Sequence, residues 1–212
     1  MFAQPFSNAQ GHPGSTLRRG SATGLIRGSI GYRVRLGSSD FGFITAAHGV
    51  TTGEHLYANG RRVGQVVVRH MASDSAFVRL SSGSSMSDRN PSASHLVVSS
   101  RLHGNLRVGD VVTRISQGGR DHNIATHPNH PIASSGRITI TEYTIVLSVG
   151  NVVVHQASFP SLPGDSGGIV VTPDGTGSTQ LIAGITVARR GDSLSYFVLA
   201  SRINAAHGVT LH

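Results

Sequence analysis

The sequence contains no cysteine, so the chain can form no disulfide and carries neither a thiol nucleophile nor a thiolate metal site. Packing and hydrogen bonds alone must therefore hold the fold. Lysine is also absent, because all eighteen basic residues are arginine. Aromatic residues make up only 5% of the chain, too few for the stacked rings with which single-strand nucleic-acid binders hold bases.

Acidic residues are outnumbered, and the formal net charge is +8 with histidine neutral. Such a charge attracts polyanions over a long range. The arginines are scattered, however, and adjacent pairs occur only at 18–19, 61–62 and 189–190. We therefore expect no nucleic-acid partner, whereas acidic substrates and cell-surface polyanions both remain open.

The chain also lacks a long apolar run, and residues 1–23 have neither the positively charged start nor the apolar centre of a signal peptide. We expect no membrane insertion. The same 23 residues are rich in Gly, Ser, Gln and Pro, which is typical of a flexible arm.

Glycine is abundant, with 27 residues, and short β-branched runs recur along the chain. Strands separated by turns are predicted for the runs at 64–68, 138–141 and 151–154. A helical pattern occurs at 200–206, where Ile203 and Ala206 extend an apolar stripe from Leu199. The length of 212 residues fits one all-β domain, and no internal repeat is present. Together these features predict a pair of β-barrels.

One glycine-rich segment, Leu162–Val170, places a serine in a turn just before an apolar run. Glycine permits unusual backbone dihedrals and a close approach of other groups, so the N–H groups of Gly164 and Ser166 can point into one small cavity. Two convergent N–H donors beside a hydroxyl form an oxyanion hole. Ser166 is therefore the candidate nucleophile.

Two further segments offer the partners that a serine nucleophile needs. His48 ends the apolar run 41–47 and is the candidate general base, while Asp74 stands at the start of a second apolar run and is the candidate orienting carboxylate. The chain order His48, Asp74, Ser166 is that of chymotrypsin-type proteases and differs from the orders in subtilisins and α/β-hydrolases.

Each of these motifs alone also has a simpler interpretation. Gly, Asp and Ser all favour turns, His48 can be a hydrogen-bonded core histidine, and Asp74 can cap a turn before a strand. The presence of all three in this order favours a catalytic triad.

The chain resembles the chymotrypsin-fold serine proteases of the PA clan and is most similar in pattern to the streptogrisin and α-lytic protease group. The segments that carry the resemblance are 31–35, 43–48, 74–79, 108–114, 162–170 and 198–211. It implies an all-β fold of two six-stranded antiparallel Greek-key β-barrels with a short C-terminal helix. The barrels are expected at 24–98 and 106–212, after a flexible arm at 1–23.

The resemblance implies a serine endopeptidase that cleaves polypeptides through an acyl-enzyme on Ser166, with His48 as general base and Asp74 as its orienting carboxylate. It implies no cofactor and no metal, a monomer, and a secreted mature form; the missing cysteines and signal peptide leave an intracellular location open. Two alternatives stand beside this hypothesis, a catalytically silent binding module and an esterase that uses the same triad.

A substrate pocket is also implied by the resemblance, with the candidate lining residues Phe159, Ser161, Leu162, Val187, Ala188 and Arg189. None of the residues before the nucleophile is acidic, which disfavours a preference for Arg or Lys. If Arg189 turns inward it narrows the pocket or binds an acidic residue; if it turns outward the pocket is apolar. We expect a preference for small or apolar side chains.

Two other sets of residues have candidate roles. The resemblance implies that Arg114 pairs with Asp165 and orders the oxyanion turn, with Arg120 as the competing partner. Three histidines, His122, His127 and His130, have spacings from which imidazoles can bind zinc. The interrupting Pro and Asn favour an exposed loop instead, so no metal site is predicted.

Overall fold

A computed structural model describes residues 10–21, 23–90, 97–116, 133–175 and 179–212. The strands are β1 Gln10–Gly11, β2 Thr16–Arg19, β3 Ile26–Ser29, β4 Arg33–Leu36, β5 Asp40–Ala46, β6 His55–Ala58, β7 Arg61–His70, β8 Ser75–Leu80, β9 Ser85–Met86, β10 Val97–Leu102, β11 Val111–Ile115, β12 Ala133–Leu147, β13 Gly150–Ala157, β14 Ile169–Pro173, β15 Thr179–Arg190, β16 Leu194–Leu199 and β17 Val209–Leu211. A 3-10 turn, Met71–Ser73, precedes β8, and helix α1 is Ala200–His207. No helix in the described ranges is long and apolar enough to cross a membrane.

The second barrel is a closed ring of six strands. Its sheet runs in the order β10-β15-β14-β11-β12-β13-β16, and β16 pairs again with β15, so that the six strands after β10 form a circle. One cluster of buried side chains from these strands and the segment after β13 comprises Val112, Ile138, Ala157, Phe159, Val170, Ala183 and Phe197. The candidate nucleophile precedes β14 of this barrel.

The first barrel closes through a bent stretch of chain. Its sheet has the order β17-β4-β5-β8-β7-β6-β2-β3, and the consecutive strands β3 and β4 lie near its two ends. The link between them bonds to both sides: Ile30 donates its N–H to Ser15 at 2.8 Å, and Gly31 donates to Ile44 of β5 at 2.9 Å. Counted as one bent strand, β3 and β4 complete a six-stranded barrel. The predicted fold class is confirmed.

The predicted strands and helix are present, since the runs at 64–68, 138–141 and 151–154 lie in β7, β12 and β13. Of the predicted apolar stripe, Ile203 is buried and Leu199 and Ala206 are partly buried, and Ala200 of α1 is buried as well. The largest apolar cluster combines residues of both barrels and α1, among them Tyr32, Ile44, Phe77, Val154, Ile185, Val198 and Ile203. This packing joins the barrels into one body.

The predicted boundaries differ from the structure at three places. Residues 10–19, assigned to a flexible arm, supply β1 and β2, and Leu17 is completely buried in the first barrel. Leu17 is the one strongly apolar side chain between residues 10 and 19, so the composition of this segment concealed its burial. Strand β10 begins at Val97, inside the range predicted for the first barrel, but it pairs with β15 of the second sheet. Strand β17 lies in the range predicted for the second barrel, but it pairs with β4 of the first sheet.

Candidate active site

His48 and Asp74 form a hydrogen-bonded pair. Nδ1 of His48 lies 2.7 Å from Oδ2 of Asp74, and the backbone N–H of His48 donates to Oδ1 at 2.9 Å. Asp74 is completely buried, whereas the His48 side chain is 26% exposed. A carboxylate that accepts the Nδ1 proton leaves the lone pair of the imidazole on Nε2, which is the arrangement that a general base requires.

The backbone at Asp74 is left-handed, with φ +40° and ψ +47°, which is uncommon for a residue other than glycine. Its N–H donates to the carbonyl of Met71 at 3.0 Å, and its carbonyl accepts the N–H of Ala47 at 3.1 Å. This conformation ends the 3-10 turn and directs the chain into β8. Asp74 is therefore held on both sides by backbone hydrogen bonds.

Ser166 lies in a tight turn that is stabilised by its own backbone. Asp165 donates its N–H to the carbonyl of Leu162 at 3.0 Å, and Gly168 donates to the carbonyl of Asp165 at 2.9 Å. Gly164 and Gly167 have φ values of +94° and +87°, which L side chains rarely adopt. Ser166 itself is partly exposed. The glycines thus make possible the turn that presents the hydroxyl.

The first barrel anchors this turn through Ser29. The backbone N–H of Ser29 donates to the carbonyl of Ser166 at 2.7 Å, and its hydroxyl donates to the carbonyl of Gly164 at 2.8 Å. Thr45 donates in turn to the carbonyl of Ser29 at 2.9 Å. Since Thr45 lies three residues before His48, these bonds bring the serine turn and the His48 segment together. The structure thus places the turn that carries Ser166 beside the segment that leads to His48, at the junction of the barrels.

The main chain before His48 has a further anchor that the sequence did not reveal. Arg69 donates to the carbonyl of Ala47 from Nε at 3.2 Å and from Nη2 at 3.0 Å. After His48, a side chain at Gly49 would collide with the backbone of Arg27. Neither Ser29 nor Arg69 stands in a motif, so no local pattern could have identified them. Thr45 lies in the motif 43–48, but the motif does not show its bond to Ser29.

The predicted pair of Arg114 and Asp165 is confirmed by the structure. Nη1 of Arg114 lies 3.1 Å from Oδ2 of Asp165, and both side chains are buried. Arg114 also donates to the carbonyl of Pro160 at 3.1 Å and contacts Ser116 and Ser134. Burial lowers the pKa of Arg114, and the charge of Asp165 opposes that shift. The competing candidate, Arg120, lies outside the described residues.

Asp165 links its ion pair with Arg114 to the turn that contains Ser166. Its carboxylate accepts the N–H of Leu162 at 2.8 Å and the hydroxyl of Ser116 at 2.5 Å. A buried charge requires such partners, because an isolated one is very costly. The ion pair therefore fixes the chain on both sides of Gly164.

The six pocket candidates differ in accessibility. The buried members are Phe159, Ser161 and Val187, the partly exposed members are Leu162 and Ala188, and the exposed member is Arg189. The Arg189 side chain is 42% exposed and lies 3.9 Å from the exposed Asp192, so it turns outward. This is the outward one of the two orientations considered for Arg189.

A hydroxyl pair that the sequence did not indicate lies among the pocket candidates. Ser195 of β16 is completely buried, and its Oγ lies 2.8 Å from both Oγ of Ser161 and the carbonyl oxygen of Phe159. This bridge connects β16 to the segment that leads into the serine turn.

Within the described residues, no group of three His, Cys, Asp or Glu side chains could hold a metal ion. The histidines considered as zinc ligands, His122, His127 and His130, lie outside those residues.

No protein-family model matches the sequence, and no curated protein matches it as a sequence relative. Solved structures do match. A chymotrypsin from Cellulomonas bogoriensis aligns with a TM-score of 0.73 at 24% identity, over 96% of this chain and 98% of that one. A protease from Nocardiopsis aligns with a TM-score of 0.74 at 21% identity, over 96% of this chain and 100% of that one.

A third match is a glutamic acid-specific serine protease described as using a histidine triad in substrate binding. It aligns with a TM-score of 0.70 at 22% identity, over 95% of this chain and 100% of that one. Agreement over nearly the whole length, together with the two closed barrels, establishes the architecture. The chain has the chymotrypsin fold in the form found in bacterial serine proteases.

Proposed function

We propose that this protein is a serine endopeptidase that uses Ser166, His48 and Asp74 as its catalytic triad. The hydrogen bonds of His48 to the buried Asp74 carry the proposal, because they leave Nε2 of His48 as a proton acceptor at the junction where the Ser166 turn is anchored. The shared fold of the bacterial proteases supports it. Polypeptides are the proposed substrates, and the triad requires no cofactor.

The proposed reaction proceeds in two halves. Oγ of Ser166 attacks the scissile carbonyl carbon and gives its proton to Nε2 of His48, while the carbonyl electron pair moves to oxygen. The C–N bond then breaks, the leaving amine takes the proton from His48, and an acyl-enzyme remains on Ser166. Water then attacks the acyl carbon and gives a proton to His48; the bond from that carbon to Oγ breaks, His48 returns the proton to Oγ of Ser166, and the acid leaves. Asp74 stabilises the imidazolium in both halves.

The N–H groups of Gly164 and Ser166 are the proposed oxyanion donors. Loss of one such donor typically lowers turnover on the order of 10² to 10³-fold. We propose that the buried pair of Arg114 and Asp165 orders this turn, since Asp165 lies between the two donors and bonds to Leu162 just before them.

Replacement of Arg114 tests this role. Arg114→Ala leaves Asp165 buried without its cation, so we expect turnover to fall while Ser166 remains in place. Arg79→Ala, which removes a cation from the exposed pair with Asp40, serves as the control and is expected to keep both the fold and the turnover. Undiminished turnover in Arg114→Ala would contradict the proposed role.

We propose that the substrate pocket accepts small or apolar side chains. Three of its candidate residues are buried, and the hydroxyl of one of them, Ser161, lies 2.8 Å from the hydroxyl of Ser195. The Arg189 side chain faces outward. The histidine triad named for one structural neighbour has no counterpart among the six candidates. A peptide-library profile that peaks at Ala, Ser, Thr or Val would support the proposal, and a peak at Glu or Asp would overturn it.

Hydrolysis assays distinguish the endopeptidase from its alternatives. The wild type is expected to cleave peptide libraries and an activated ester, whereas Asp74→Asn should lower turnover roughly 10⁴-fold through the wrong imidazole tautomer. Cleavage of the ester alone would indicate an esterase. A folded wild type that cleaves neither substrate would indicate a silent binding module.

A secreted, monomeric mature form is part of the same proposal, because the fold is shared with bacterial proteases. Cell fractionation of the source organism and sedimentation of the purified protein test these two points. Recovery from the cytosol, or a stable dimer, would contradict them.

A further inference from the structure

A chain of hydrogen-bonded side chains brackets Asp74. The hydroxyl oxygens of its two neighbours, Ser73 and Ser75, lie 2.7 Å apart, and both serines are buried. Nδ1 of His70 lies 3.0 Å from Oγ of Ser73, and Nε2 of His207 lies 2.9 Å from Oγ of Ser75. The chain therefore connects β7, the residues around Asp74 and the last residue of α1.

Donor and acceptor roles can be assigned to the hydrogen bonds along this chain. Nδ1 of His207 is buried and has no hydrogen-bond partner among the described residues. An unpaired buried N–H is rarer in proteins than an unpaired acceptor, so the proton of His207 is assigned to Nε2. Nε2–H then donates to Ser75, Ser75 to Ser73, and Ser73 to His70, whose Nδ1 lies 3.0 Å and whose carbonyl oxygen lies 3.4 Å from Oγ of Ser73. Each hydroxyl donates once and accepts once.

The protonation state of His207 is consistent with this direction. Burial and the neighbouring His70 lower the pKa of His207 to about 4, although its bond to Ser75 opposes the shift. The ring is therefore neutral near pH 7 and has a single proton to donate. The rings of His70 and His207 also meet edge-on, with their centroids 5.9 Å apart.

The bond between Ser73 and Ser75 spans Asp74, whose backbone is left-handed. Fixing the side chains on both sides restricts the φ and ψ of Asp74, which would otherwise relax toward a more favourable region. Both carboxylate oxygens of Asp74 bond to His48, so a rotation of this backbone would displace the imidazole.

We propose that Ser73, Ser75 and His207 are positioning residues that hold the Asp74 backbone in its left-handed conformation and thereby orient His48. This role rests on the proposed protease function and extends it to the C-terminal helix. Through His207, the docking of α1 contributes to the geometry of a triad that has no residue in that helix.

Substitutions at His207 separate this role from simple packing. His207→Gln keeps an N–H donor near the position of Nε2, whereas His207→Leu removes it. We expect kcat of His207→Leu to fall roughly tenfold or more with KM unchanged, because a displacement of about 1 Å can cost on the order of a hundredfold. His207→Gln should recover most of the loss. Ser75→Ala should resemble His207→Leu, and Ser201→Ala on the exposed face of α1 is the control.

A measurement that is independent of turnover completes the test. The Nδ1 proton of His48, bonded to Asp74, is expected to give a low-field proton NMR signal that broadens in His207→Leu and Ser75→Ala and recovers in His207→Gln. Equal kcat and equal NMR signals in His207→Gln and His207→Leu would overturn the proposal. If the wild type hydrolyses nothing but its signal responds as described, the positioning role stands and the protease function falls.

Discussion

At the scale of single residues, the turn that carries Ser166 depends on a residue of the other barrel, because Ser29 bonds to the carbonyls of both Gly164 and Ser166. The local motifs that predicted His48, Asp74 and Ser166 as a triad contain no sign of this residue. Ser29 escaped notice because its contacts with Gly164 and Ser166 cross more than a hundred positions of the chain. A sequence pattern reports neighbours along the chain, whereas these contacts exist only after both barrels have folded.

Removal of the Ser29 hydroxyl tests how far the first barrel supports the nucleophile. Ser29→Ala loses the hydrogen bond to the Gly164 carbonyl, a bond typically worth about 1 kcal/mol. We expect kcat to fall roughly fivefold as the oxyanion turn loosens, because about 1.4 kcal/mol corresponds to tenfold in rate and about 1 kcal/mol to fivefold. The exposed Ser82→Ala is the control. Equal kcat in Ser29→Ala and Ser82→Ala would show that the turn holds its geometry without this bond.

At the scale of elements, strands with strong β-branched runs were predictable, and so was α1. Strand β2 was not, because Leu17 is its only apolar residue and Gly and Ser precede it. Two of its four residues are arginines, which conceals the burial of its first half. Pairing with β3 and β6 outweighs this weak local preference.

Truncation of Leu17 tests whether β2 is part of the first barrel. Leu17 is completely buried, so Leu17→Ala is expected to lower the free energy of unfolding by about 2–5 kcal/mol. Leu25, which is 72% exposed, provides the matched control, and Leu25→Ala should change it by less than about 0.5 kcal/mol. If urea unfolding shows similar changes in the free energy of unfolding for both substitutions, residues 10–19 do not contribute to the barrel core and form a flexible arm, as the sequence predicted.

His207, in the last turn of α1, is expected to make the stability of the folded protein depend on pH. The pKa of His207 is lowered to about 4 in the folded protein, so the unfolded chain binds a proton first as the pH falls. The contribution of His207 is therefore complete above about pH 6.5 and is lost between there and pH 4. His70 is the titratable group that faces the ring from β7.

Thermal unfolding at pH 7, 5.5 and 4 measures this contribution. We expect the wild type to lose more thermal stability over this interval than His207→Gln, which has no proton to gain at that position. Parallel curves for the two proteins would show that other groups dominate the acid sensitivity.

At the scale of the whole molecule, composition, motif order and the family resemblance were enough to predict two β-barrels. The way in which the barrels are connected could not be predicted, because β10 pairs with the second sheet and β17 crosses back to the first. These crossings and the apolar cluster between the barrels join the barrel that carries His48 and Asp74 to the barrel that carries Ser166. The proposed triad therefore draws its residues from both barrels, and neither barrel contains all three.

Labelling with a fluorophosphonate probe, read by intact mass, tests the triad most directly. We expect the wild type to gain one probe per chain, and folded Ser166→Ala and His48→Ala to gain none over the same period. Labelling that persists in Ser166→Ala, or a well-folded wild type that does not react, would contradict the assignment of Ser166 as an activated nucleophile.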